Sequence, residues 1–417
     1  MTGTIPAVRE IVIVIADLYL PTDSTTAGGA SYASGSAASA SLANAAGGSP
    51  GLEHVARFGQ RRALDGEGGW RAWLARWLGR GDLADVPPAV VVAAGLDPGT
   101  AGAKAAGVFS LQGVGAEGPG ASASPDIGAQ DSGASFTRGL GAEGPAVSST
   151  IWLATPVHFI AGLTSIHLDR RGLLHLSAAE LDDFAADFNR TFGGGDPATA
   201  LRLQPLPASG QFLLQAPANL NAMTTEPAHA LAADLEASLP KGPQAAPFKR
   251  LGAELEMWLH AHPLNEARRR RGELPVSTLW LWGGGPSSEA LQRPAAHPDS
   301  AAVAFGNDPY LRGLAGVSGA DIRVLPNTLA DVIGCAQRAV LVDEITPLLH
   351  ANPQWTLFEA AADIDRRLIG PALTALHARR LEAVTLIANN LEMRVSRGSR
   401  LRFWRPRQPG LSGLVVR

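Results

Sequence analysis

The stretch from His262 to Gly285, HPLNEARRRRGELPVSTLWLWGGG, limits the possible folds of this chain more than any other segment. Leu251, Leu255, Trp258 and Leu259 recur at helical spacing ahead of it, and Pro263 has no N–H with which to extend that ladder, so a helix is predicted to end near Ala261. Residues 265–271 read as a polar, arginine-rich connector, Gly272 and Pro275 punctuate it, and 276–282 reads as a short apolar strand that runs into Gly283, Gly284 and Gly285. Glycines closing a strand leave the backbone open to close approach at the sheet edge where α/β proteins hold ligands. A small anionic or phosphorylated ligand is therefore expected in a cleft between these glycines and the connector of His262, Asn265 and Arg268, with backbone N–H groups and a planar guanidinium as donors. Trp280 and Trp282, two apart, belong on one face against the core.

The other apolar runs set the fold class. Residues 11–16, IVIVIA, form a β-branched run suited to a strand covered on both faces. Residues 302–305, 321–325, 339–342 and 383–388 add short strands, and helical patterns occupy 52–78, 354–360 and 368–380, while 89–94 fits a strand or a buried helix start. This alternation predicts an α/β fold with a mostly parallel sheet flanked by helices. Between these parts lie strands at 151–159, 165–168 and 173–176, a helix at 178–192 with a Ser177/Glu180 capping box, and a hairpin at 201–206 and 210–214. The expected organisation is an N-terminal part of the core (1–150), an inserted α+β domain (151–250) and a C-terminal part of the core (251–417). Residues 22–51 and 112–149 are low-complexity loops rich in Gly, Ala and Ser. The GxGxxG at Gly113 lacks a strand before it and a helix after it, so it is no dinucleotide fingerprint.

The organising stretch resembles a conserved segment of archaeal-type cofactor-independent phosphoglycerate mutases, members of the alkaline phosphatase superfamily. It is still more similar to a bacterial branch of that family, the regulatory proteins of the RpfE type. His262, Pro263, Asn265, Arg268, Gly272, Pro275, Trp280, Leu281, Trp282, Gly283 and Gly285 carry the match. The resemblance implies an alkaline phosphatase-like core, with the inserted domain acting as a lid. It also places Asp17, after the first strand, where the family has a metal-ligating aspartate, and makes Asp343, beside Glu344, a second candidate ligand.

The chain departs from the family where active members carry Asp-His-Gly after the last strand, because it has Asn389, Asn390 and Leu391 there, and no histidine stands close after Asp343. Asparagine replaces carboxylate or imidazole poorly at a centre of two dications. The expected function is a mutase-like protein that has lost its two-metal site and serves as a regulatory, ligand- or partner-binding protein, with no cofactor. The alternative is an active phosphoglycerate mutase or related phosphotransfer enzyme, using Mn²⁺ or Mg²⁺ on Asp17 and Asp343.

A net charge of -3 gives no general attraction to nucleic acid or anionic membrane, although 394–417 holds seven arginines and no acid, with Phe403 and Trp404 among them. The apolar run 11–16 is too short to span a bilayer, and the single cysteine, Cys335, reads as a small buried hydrophobe. A cytoplasmic protein is expected, with no membrane association and with a possible protein partner.

Overall fold

The structure is a computed structural model that describes residues 10–18, 49–64, 68–96, 149–162, 166–194, 200–231, 235–287, 302–335, 337–388 and 390–399. Its strands are β1 (Glu10–Ile15), β2 (Gln60–Ala63), β3 (Thr150–Ala161), β4 (Ile166–Leu173), β5 (Arg202–Leu206), β6 (Gln211–Ala216), β7 (Thr278–Pro286), β8 (Ala302–Phe305), β9 (Asp321–Arg323), β10 (Arg338–Asp343), β11 (Ala383–Ala388) and β12 (Leu391–Ser396). The helices used below are α1 (Pro50–Phe58), α2 (Gly69–Trp77), α3 (Pro88–Gly95), α4 (Ala178–Phe192), α5 (Ala245–His260), α6 (Pro263–Arg270), α7 (Pro309–Ser318), α8 (Ile345–Ala351), α9 (Leu357–Ile364) and α10 (Gly370–His377). A π-helical turn, Asp365–Ile369, joins α9 to α10.

The strands form two sheets. The larger has the order β2-β12-β11-β1-β10-β8-β9 and is parallel from β11 to β9, with β12 and β2 antiparallel at one edge. Its centre is β1, paired residue for residue with β10 and β11. Period-two geometry sends Ile11, Ile13 and Ile15 into one apolar layer with α9 and α10, and Val12 and Val14 into another with α2, α3 and α7. The second sheet, β4-β3-β6-β5 with β7 on the other side of β3, is antiparallel throughout. One of its faces packs under α4 and α5 through Trp152, Phe184, Phe212 and Leu255, while Ile151, Leu153 and Trp282 on the other face join the layer beneath α3. This mostly parallel sheet flanked by helices, with a separate antiparallel sheet, agrees with the α/β class expected.

The capping box of α4 is present, with Ser177 and Glu180 bonded reciprocally, and the hairpin of β5 and β6 falls where its pattern put it. Four expectations need correction. The strand before the glycines, β7, belongs to the antiparallel sheet and not to the parallel one, so the unit built on that sheet, called the inserted unit below, takes in β7. A continuous apolar run suits a parallel strand and a strand between two packed layers equally well, and here Leu279 and Leu281 face one layer and Trp280 and Trp282 the other. The connector after Pro263 is the helix α6, since proline at the first helical position gives up an N–H that would have no partner there. The pattern at 52–78 divides at Gly59 into α1, β2 and α2, and the strands foreseen at 165–168 and 173–176 are the single strand β4. Residues 89–94 lie in α3, which meets α7 so closely that a Cβ on Gly95 would fall 1.9 Å from the carbonyl oxygen of Gly313.

Candidate functional site

Adjacent parallel strands end on the same edge, so β1, β10 and β8 deliver Asp17, Asp343 with Glu344, and Asp308 to one region beneath the inserted unit. Asp17 is buried, and its two carboxylate oxygens accept the backbone N–H groups of Ile345 and Thr346 at 2.6 and 2.8 Å, which makes it the cap of α8 from a neighbouring strand. Arg170 of β4 donates to the Asp17 carbonyl at 2.5 Å and lies 3.8 Å from its carboxylate. Asp343 accepts the Glu344 N–H at 2.9 Å and the Arg367 guanidinium at 2.9 Å. Burial pushes the Asp343 carboxyl up, against the pull of Arg367. Asp308 caps α7 through the Leu311 N–H at 2.9 Å, and burial raises it too, with Arg71 opposing. Glu344 stands among Asp308, Asp17 and Asp343, and burial followed by these three neighbours lifts its carboxyl well above the ordinary range.

A further cation, Arg71 of α2, faces Asp308 and Glu344. Its guanidinium grips Glu226 of the inserted unit in a two-point ion pair at 2.7 and 2.8 Å and lies between the rings of Trp70 and Trp282 at 4.7 and 4.9 Å. Burial alone would raise Glu226, but Arg71 outweighs it and holds the carboxyl down. Neither Arg71 nor Glu226 could be paired from sequence, because nothing local marks two charges 155 residues apart. Asp308 had a signal that went unread: an aspartate before Pro309 and a helical apolar pattern is an N-cap.

The six residues expected to bind an anion occupy other places. His262 caps α6 through Nδ1, which accepts the Leu264 N–H at 3.2 Å; its ring packs on Trp258 and Phe184, and burial keeps its basicity low despite Asp187 at 3.4 Å. Asn265 is a buried clip, donating to the carbonyls of Leu259 and Val276 at 2.8 Å each and accepting the Val276 N–H at 2.7 Å. Arg268 is 5% exposed and donates to the Leu274 carbonyl at 2.8 Å and to Glu180 at 2.9 Å, which ties α6 to the capping box of α4. Gly283, Gly284 and Gly285 face Pro88, Trp152 and Pro87; Gly283 has φ +61°, and a Cβ on Gly284 would fall 2.1 Å from the Trp152 ring. The connector precedes β7 and the glycines close it, so roughly 17 Å of strand separates Thr278 from Gly283.

Cys335 is partly exposed and donates to the Asp331 carbonyl at 3.0 Å, so it is no buried hydrophobe. Of the asparagines, Asn390 lies beside Gly69, whereas Asn389 falls outside the described residues, as do 22–48, 112–148 and 400–417. Among the described residues no three His, Cys, Asp or Glu side chains are grouped to hold a metal ion. No helix among them is long and apolar enough to cross a membrane.

No family model matches the chain, and no curated protein matches it in sequence. Among solved structures, the chain is similar to the cofactor-independent phosphoglycerate mutase from Thermoplasma acidophilum, at 13% identity over 94% of this chain and 90% of the other, with a TM-score of 0.33. It is also similar to the PH0037 protein from Pyrococcus horikoshii, at 12% identity over 94% of this chain and 88% of the other, with a TM-score of 0.41.

Proposed function

We propose that this chain is a phosphoglycerate mutase-like protein, akin to RpfE-type regulators, in which the place of a two-metal centre is taken by a structural polar cluster, and that it works by binding a ligand or partner instead of by phosphoryl transfer. One observation carries the reading: all four carboxylate oxygens of Asp17 and Asp343 already accept N–H donors, two from the start of α8, one from Glu344 and one from Arg367. Each of these donors takes one of the two lone-pair directions that an oxygen offers, and a dication needs further anionic or imidazole ligands beside the two carboxylates. Here the neighbours are a guanidinium, the Glu344 carboxyl, whose pKa burial and the surrounding acids raise, and Asn390 on the next strand edge. A guanidinium and an asparagine beside the two carboxylates match Mn²⁺ or Mg²⁺ poorly, which supports the reading.

The test is a phosphoglycerate mutase assay with added Mn²⁺ or Mg²⁺, beside metal analysis of the purified protein. The proposal expects substoichiometric metal and no turnover above background. Stoichiometric metal with turnover would establish the alternative, an active metal-dependent mutase.

A further inference from the structure

Between helix α5 and strand β7, which pairs among the described residues with β3 alone, the inserted unit encloses a cavity of about 320 Å³. Its floor is apolar, built from Phe248, Leu255, Leu279 and Leu281. The lining runs along α5 from Phe248 to Glu256, roughly 12 Å of helix. An apolar trough of that length accommodates one extended hydrocarbon chain. At about 30 Å³ for each small group, it takes about ten non-hydrogen atoms.

Gly252 is an independent pointer. It sits in the interior of the sixteen-residue α5, where glycine weakens a helix relative to alanine. It is not in the left-handed region, and a Cβ there would meet nothing within 4 Å, so neither backbone nor packing calls for it. Its effect is to keep the cavity wall open halfway along. Thr278 in the same lining is 6% exposed, and its hydroxyl has no hydrogen-bond partner among the described residues. The exposed lining residues mark the mouth, which carries Lys249, Glu256 and the 36%-exposed Leu239. Burial pushes the Glu256 carboxyl up.

We propose that this cavity binds a medium-chain fatty acid of about ten carbons, its chain lying along α5 past Gly252 and its carboxylate at the mouth beside Lys249. The site is separate from the polar cluster at the sheet edge and does not depend on whether that cluster is catalytic.

Titration calorimetry of the full chain with decanoate, decanol and decylamine below their micelle concentrations, with the intrinsic tryptophan fluorescence followed in parallel, tests it. Saturable binding is expected in the order decanoate, decanol, decylamine, and weaker binding of hexanoate and hexadecanoate than of decanoate. Gly252→Leu fills the wall and should weaken decanoate at least tenfold with the melting temperature held. Gly252→Ala, which favours the helix, should weaken it in the same direction with the melting temperature raised. Lys249→Met should lower decanoate affinity about tenfold and leave decanol unchanged. No saturable binding by any of the three, decylamine as tight as decanoate, or glycine variants that bind like wild type would overturn the proposal.

Discussion

Arg71 of α2 and Glu226 of the inserted unit form a two-point ion pair, at 2.7 and 2.8 Å, that ties the core to the insertion. Their side chains are 11% and 13% exposed, so removing one partner strands a charge in a poorly solvated place. Arg71→Ala is expected to destabilise the fold by about 3 to 5 kcal/mol, because Glu226, Asp308 and Glu344 then face one another without their cation. The Arg71→Ala/Glu226→Gln double variant should recover part of that loss. Denaturant unfolding of the two single variants and the double variant measures both, and a loss in the double variant equal to the sum of the two single losses would show that the pair is not coupled.

Arg268 gives a second expectation, opposite to what its sequence context suggests. As a ligand-gripping arginine it could be removed without harm to the fold. Buried between the Leu274 carbonyl and Glu180, it is a strut between α6 and α4. Ser177 and Arg268 hold the Glu180 carboxyl down against burial, so Arg268→Ala should cost about 1.5 to 3 kcal/mol and Arg268→Lys should recover little, since an ammonium cannot make both contacts in the same plane. Urea unfolding decides it; a variant as stable as wild type would return Arg268 to the list of binding residues.

The contrast shows what was legible in the sequence. Strand β1 could be read because a β-branched run has one natural place, between two apolar layers, and α4 because its capping box is a local signal. The sheet to which β7 belongs could not, since its partner β3 lies more than a hundred residues away and the apolar run fits either sheet. Asp17 and Asp343 were found as strand-end carboxylates, but their partners, the start of α8 and Arg367, are set by how strands and helices stack. The glycines after Trp282 read as a ligand loop because close approach to a ligand and close approach to Pro87, Pro88 and Trp152 demand the same missing Cβ.

Asp365 predicts a pH dependence. It is 2% exposed, one oxygen accepts the Gly51 N–H at the start of α1 at 3.0 Å, and the other has no hydrogen-bond partner among the described residues. Burial raises its pKa to about 6, only partly offset by the N–H groups of Gly51 and Leu52. The unfolded value is about 3.9, so between about pH 4 and pH 6 the folded state holds more protons and stability falls as pH rises. Above pH 6 the penalty levels off at about 3 kcal/mol, from a shift of about two units at 1.36 kcal/mol each. Asp365→Asn should remove this slope and be at least as stable as wild type at pH 8, which thermal unfolding from pH 4 to pH 8 would read. An unchanged slope would assign the dependence to other groups.

The central claim is that Asp17 and Asp343 hold the sheet edge together through N–H donors and not through a metal ion. Thermal unfolding of the purified chain across a Mn²⁺ titration, after EDTA treatment, tests it most directly. A site filled at a hundred times its dissociation constant would add about 2.7 kcal/mol and move the transition by several degrees. The account predicts a flat response to Mn²⁺ in wild type, together with a lower melting temperature in Asp17→Ala, whose loss of the α8 cap costs about 1 to 2 kcal/mol with or without metal. A saturable rise in wild type that Asp17→Ala abolishes would contradict it.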